Sequence, residues 1–210
     1  MAAYNNNEKA CIYLCYIFLN VFDTKTSKDI KKAINYLELA IKNGSFVASF
    51  ILGFIYHEGK EVEFDIEKAI YYYKNSSSFN FKFAKNNLGI IYKNGIHEKV
   101  EKNSSYAIEY FTDVIKKDND MVSMYNLAHL YLYEEQITNK IDYAIELFQD
   151  AIRQKNDKIS MFNLAKIYLY DQNKRNIDKS IELLIKSSIQ NFYPAKLLLA
   201  SVLCKKNPSL

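Results

Sequence analysis

The sequence predicts an all-α fold, an α-α superhelix (solenoid) of about five helical hairpins plus a terminal helix. Three observations predict it. Two apolar motifs alternate along the chain at one shared spacing, as expected of a helical repeat array. Only 5 Gly and 2 Pro occur in 210 residues, so the breakers that an all-β protein needs are missing. With 49% hydrophobic and 25% charged residues, the chain can build a sizeable core and is too apolar for disorder.

The first motif follows a polar helix start. A small residue stands at Ala33, Ala69, Ala107, Ala144 and Ser180, in steps of 36, 38, 37 and 36, and Ile comes next each time. Three and four places on sit Tyr36-Leu37, Tyr72-Tyr73, Tyr110-Phe111, Leu147-Phe148 and Leu183-Leu184. Seven places on sit Ala40, Ser76, Val114, Ala151 and Ser187. Offsets of 3, 4 and 7 describe one face of a helix. The run Tyr71-Tyr72-Tyr73 is therefore one copy of a buried stripe, with Tyr71 off it.

The second motif places a small residue four before a Leu, another directly after it and Tyr or Leu four after it. It reads Ala48, Leu52, Gly53, Tyr56, then Ala84, Leu88, Gly89, Tyr92, then Ser123, Leu127, Ala128, Tyr131. It returns as Ser160, Leu164, Ala165, Tyr168 and Ala195, Leu199, Ala200, Leu203. Glycine inside a helix costs about 1 kcal/mol relative to alanine, so Gly53 and Gly89 imply two helices crossing closely.

Punctuation sets the elements in order. Asp29, Asp65, Asn103 and Asn176 stand four before the small residue of the first motif, where N-caps belong. Gly59 and Gly95 suit helix C-caps and Gly44 closes the second predicted helix. The predicted helices run at about 7–22, 27–43, 46–58, 65–76, 81–94, 103–117, 120–134, 140–154, 157–171, 176–190 and 193–205. Each hairpin buries its apolar face only against its neighbours, so residues 1–210 are expected to form one domain without an internal linker.

The N-terminal run ACIYLCYIFLNVF reads as the first helix. It is too short for a membrane span, lacks a basic leader and is not followed by a small-residue cleavage site. The odd count of 3 Cys excludes a complete disulfide framework, and Cys11 and Cys15, four apart, read as buried thiols of a reducing compartment. The expected location is cytoplasmic, with a secreted or periplasmic protein as the alternative.

At this point the repeat resembles a known family. Ala48, Leu52, Gly53, Tyr56, Gly59, Val62, Asp65, Lys68, Ala69 and Tyr73 match the Sel-one-like repeat, a relative of the tetratricopeptide repeat. The next copy keeps Ala84, Leu88, Gly89, Tyr92, Gly95 and Ala107 around a loop about two residues longer. Later copies put Ala128 and Glu134, then Ala165 and Asp171, in place of Gly53 and Gly59. The resemblance implies a scaffold or adaptor for protein–protein interaction and does not select a partner.

Catalytic chemistry finds no support in the sequence. His57, His97 and His129 form no metal-ligand spacing, the cysteines lack C-x-x-C, and no phosphate loop or nucleophile elbow is present. The chain is expected to be no enzyme and to take no cofactor or metal. A net charge of +4, spread along the chain, argues against nucleic acid, although some helical repeats read RNA.

The resemblance also implies that the first helix of each pair lines a concave wall. Its exposed positions fall two before, two after and five after the motif Leu. They are Phe50, Phe54 and His57; Asn86, Ile90 and Lys93; Tyr125, His129 and Leu132; Phe162, Lys166 and Leu169; Tyr16 joins from the first helix. The expected ligand is a peptide or helix of another protein; a toxin or a host or other-cell protein belongs to the secreted alternative. The same residues can instead pack between neighbouring repeats, and both readings stay open. Leu197, Leu198, Leu199, Val202 and Leu203 make the terminal helix more apolar than a cap, so it is expected to pack on another protein or a second copy.

Overall fold

The computed structural model describes residues 30–60, 62–134 and 140–206. The first predicted helix, with Cys11, Cys15 and Tyr16, and the expected cap Asp29 lie outside them. The described residues form ten helices: α1 (Ile30–Lys42), α2 (Phe46–Glu58), α3 (Ile66–Ser78), α4 (Lys82–Asn94), α5 (Ser104–Asp118), α6 (Met121–Tyr133), α7 (Lys140–Lys155), α8 (Lys158–Tyr170), α9 (Ile177–Ile189) and α10 (Tyr193–Lys206). The all-α expectation holds, and the predicted ends agree within about two residues wherever they are described. The chain gathers into two compact units, Met1–Tyr110 and Phe111–Leu210.

In the first unit, α2 packs on α1 and α3, and α4 packs on α3. Ala33, Leu37 and Ala40 of α1 meet Ala48 and Leu52 of α2 in one core cluster. Ala69 and Tyr73 of α3 meet Ala84 and Leu88 of α4 in the next. The stripe orders the three tyrosines of α3: Tyr73 is fully buried, Tyr72 half-buried and Tyr71 exposed. Gly53 lies against Tyr73, as the close helix crossing requires.

In the second unit, α6 packs with α7, α7 with α8, α8 with α9 and α9 with α10. Ala128 of α6, Ala144 and Phe148 of α7 and Leu164 of α8 share one core cluster. Ala165, Leu184 and Ala195 share the next. Fully burying a side chain such as Phe148 contributes about 1.5–3 kcal/mol, which makes these stripes the main source of cohesion.

The caps fall where the spacing puts them. The side chains of Asp65, Asn103 and Asn176 accept from the backbone N–H of Lys68, Tyr106 and Lys179. Ser45, Asp120 and Asp157 cap α2, α6 and α8 in the same way. Gly59 takes the left-handed conformation at φ 63° and ψ 18°. Gly95 is also at positive φ, 67°, but its ψ of 175° turns the chain into a loop with an isolated bridge between Ile96 and Val100. Cys204 on α10 is an exposed free thiol; Cys11 and Cys15, the two expected to be buried, lie outside the described residues.

Candidate functional site

The site is built on two first helices of the second unit, α6 and α8. On α6, Tyr125, His129 and Tyr133 follow one another at four-residue spacing and stack along one helix face. The His129 ring lies 6.1 Å from Tyr125 and 4.4 Å from Tyr133, centroid to centroid. On α8 the same register holds Phe162, Lys166 and Tyr170, with the Lys166 ammonium 5.7 Å above the Phe162 ring. Each column thus reads aromatic, nitrogen base, aromatic.

A cavity of about 330 Å³ opens between the columns, with Tyr125, His129, Tyr133, Lys166 and Tyr170 around it and Ile141, Phe148 and Ile167 at its floor. Leu132, Asn163 and Asp171 complete that wall. Beyond Tyr170 lies a second cavity of about 640 Å³, bounded by Leu169, Arg175, Asp178, Ser201 and Lys205. Tyr170 belongs to both. Tyr133 and Tyr170 are 63% and 68% exposed, well beyond what core packing leaves open. The Asp171 carboxylate is held at the helix end, where it accepts from the N–H groups of Asn173 and Lys174.

Of the sequence-predicted residues, Tyr125, His129, Leu132 and Lys166 come together at the first cavity and Leu169 lines the second. Phe162 sits half-buried with its ring edge-on to Phe192 at 5.4 Å. In the first unit Phe50 is half-buried among Tyr73, Phe81 and Phe83, and Phe54 is 47% exposed. His57 contacts the Tyr73 hydroxyl at 3.3 Å, and burial holds its pKa below the ordinary value. Ile90 and Lys93 are half-buried, and burial lowers the Lys93 pKa. Asn86 is only 7% exposed.

Sequence reasoning missed Tyr133 and Tyr170. The signal was present: a helix column continues at the fourth residue, so the position six after the motif Leu follows the position two after it. Among the described residues no cluster of His, Cys, Asp or Glu could hold a metal ion. No described helix is long and apolar enough to cross a membrane.

The Sel1 repeat profile matches residues 8–45, 47–78, 82–112, 122–156 and 158–192. The chain belongs to the Sel1 repeat family. The Sel1-repeat-containing protein YjcO of Escherichia coli K12 is 32% identical over 115 residues, 52% of this chain and 49% of that protein. This chain therefore spans about half the length of the curated relatives it matches. Among solved structures, c5321, described as a protective antigen of uropathogenic Escherichia coli with an SLR fold, superposes with a TM-score of 0.76 at 22% identity, over 95% of this chain and 42% of its own. A Sel1 repeat protein of Oxalobacter formigenes gives 0.74 at 20% identity, over 97% and 81%. Both likenesses concern the fold. Sel1 repeats are a scaffold fold, typically non-catalytic, and mediate protein–protein interaction.

Proposed function

We propose that this protein is a non-enzymatic adaptor that holds a peptide or helix of another protein against the first helices of its second unit, with the α6–α8 columns as the principal contact. The observation that carries this reading is the exposure of Tyr133 and Tyr170 beside His129 and Lys166, around an apolar-floored cavity. Exposed aromatics over a concave, partly polar surface supply contact area at low entropic cost and are typical hot spots. Lys166 and Asp171 line the first cavity, and Arg175 and Asp178 the second, so the surface offers groups of both signs beside an apolar anchor site. Within the first unit, Phe54 is the exposed aromatic of the same register.

The absence of enzymatic activity is part of this proposal.

The test compares proteins captured from the source lysate by wild type and by a Tyr125→Glu, Tyr170→Glu variant. Both tyrosines are exposed, so circular dichroism should show an unchanged helical fold. A partner held by wild type and lost by the variant supports the groove. An unchanged set of partners overturns it.

A further inference from the structure

One repeat position brings phenols together. Each of the helices α2, α4, α6 and α8 carries a tyrosine four residues after its motif Leu, at Tyr56, Tyr92, Tyr131 and Tyr168. That ring is met from the following helix at two positions, one before and three after the small residue of the first motif. The positions hold Lys68 and Tyr72 on α3, Tyr106 and Tyr110 on α5, Tyr143 and Leu147 on α7, and Lys179 and Leu183 on α9. Three hairpins therefore hold a tyrosine pair and the fourth does not.

The rings are in contact distance. Tyr56 and Tyr72 stack with centroids 6.0 Å apart and planes at 4°, and Tyr92 and Tyr110 stack at 6.1 Å and 2°. Tyr106 adds a ring 5.2 Å from Tyr92. Tyr131 and Tyr143 lie 5.2 Å apart. In the fourth hairpin the Lys179 ammonium sits 5.8 Å over the Tyr168 ring instead. The phenol ends approach each other as the ring centres do. Burial raises the pKa of Tyr72, Tyr110 and Tyr131, and the partner phenols of Tyr56, Tyr92 and Tyr143 raise it further.

Each group also has a ring in solvent. Tyr71 is 65% exposed and lies edge-on to Tyr72 at 5.1 Å. Tyr106 is 51% exposed and Tyr143 46%. An oxidant in solution therefore reaches one phenol of every group, and that phenol touches the next. Packing explains why aromatic rings meet. Paired phenols, unlike paired phenyl rings, can in addition be joined by oxidation.

We propose that Tyr56 with Tyr72, Tyr92 with its α5 neighbours Tyr106 and Tyr110, and Tyr131 with Tyr143 are oxidative cross-linking sites, at which a peroxidase using hydrogen peroxide joins two rings as dityrosine. Each phenol gives up one electron and its proton. The two phenoxyl radicals join through ring carbons ortho to oxygen, forming one C–C bond, and each ortho hydrogen moves to its ring's oxygen to restore the phenol. The two electrons and two protons reduce one hydrogen peroxide to two waters. Ring contact makes the coupling intramolecular, so it outruns coupling between dilute molecules. The bond ties the two helices of one hairpin and restricts the unfolded chain as a disulfide does.

The full chain is treated with peroxidase and hydrogen peroxide at low concentration, the monomer is isolated, and its proteolytic peptides are read by mass spectrometry. Cross-linked peptides should join α2 to α3, α4 to α5 and α6 to α7, with dityrosine fluorescence per molecule unchanged on dilution. Tyr168 should form no link. Tyr72→Phe keeps the ring and removes the phenol, so the α2–α3 link should be lost and the other two kept. Lys179→Tyr places a phenol at the register of Tyr106 and Tyr143 and should create a fourth link, from α8 to α9 at Tyr168. Lys179 is exposed, and Tyr72→Phe conserves the ring, so circular dichroism should match wild type. Dityrosine confined to covalent dimers, or an equal link at Tyr168 in wild type, overturns the proposal. So does an α2–α3 link that survives Tyr72→Phe, or a folded Lys179→Tyr variant that gains no link.

Discussion

The ring of Tyr73 occupies the space that a side chain on Gly53 would need: a Cβ built on Gly53 lies 2.8 Å from Tyr73 Cδ1 and 3.2 Å from the carbonyl oxygen of Ala69. The second unit solves the same crossing differently. There Ala128 shares its cluster with Phe148, and Ala165 shares its cluster with Leu184. Those partners stand at the Tyr73 register, four after Ala144 and Ser180.

Gly53→Ala should therefore destabilise the protein despite alanine's better helix propensity. The propensity gain is about 1 kcal/mol, and overpacking costs about 1–3 kcal/mol. Tyr73 is 0% exposed and Ala69 contributes backbone, so neither retreats cheaply. The net loss should be about 1 kcal/mol, read from urea unfolding. In a Tyr73→Leu background the same methyl should be neutral or stabilising. A penalty of equal size in both backgrounds would show that the two residues are not coupled.

Serine hydroxyls at one repeat register should give opposite signs. Ser76 and Ser187 both stand seven after the small residue, where α1 and α7 carry Ala40 and Ala151. The Ser187 hydroxyl donates to the Lys158 carbonyl at 2.7 Å. The Ser76 hydroxyl is buried and has no hydrogen-bond partner. Ser187→Ala should cost about 1 kcal/mol and Ser76→Ala should stabilise by about 1 kcal/mol, because an unpaired buried hydroxyl keeps its desolvation penalty. Thermal melts of the two variants on either side of wild type would bear this out. Two shifts of the same sign would refute it.

The repeat, the helix ends and the buried stripes were legible because each rests on residue spacing. Ala33, Ala69 and Ala107, like Ser180 at the same register, are small because helices touch there. The turns were half legible. Gly44 announces the first turn between pairs, at φ 87°, but Asn80, Asn119, Asn156 and Asn191 do the same work at φ 61°, 53°, 52° and 59°. Asparagine tolerates the left-handed region, yet in an Asn-rich chain it draws no notice. The groove was less legible still. Tyr125, His129 and Lys166 were named from register, but whether a first-helix residue faces solvent or a neighbour depends on the size of its neighbours. Phe50 shows this: Phe81 and Phe83 close around it, rings at 5.2 Å and 6.2 Å, while Tyr133 on α6 is left open.

His57 should make stability depend on pH just below neutrality. Its ring is edge-on to Tyr73, with Nδ1 3.3 Å from the phenol oxygen. Burial disfavours the imidazolium and lowers the pKa, and the adjacent Glu58 opposes this with a smaller effect. The folded chain therefore resists a proton that the unfolded chain accepts near its ordinary pKa of about 6.5. Stability from this group is fully present above that pH and is lost as pH falls toward the lower folded value. Urea midpoints at about pH 8 and about pH 5.5 span that window and lie above the carboxylate range. Wild type should lose stability between them, and His57→Gln should lose less. Glutamine keeps a polar group near the Tyr73 hydroxyl without a titrating site. If the two proteins lose the same amount, His57 is not the group that senses the proton.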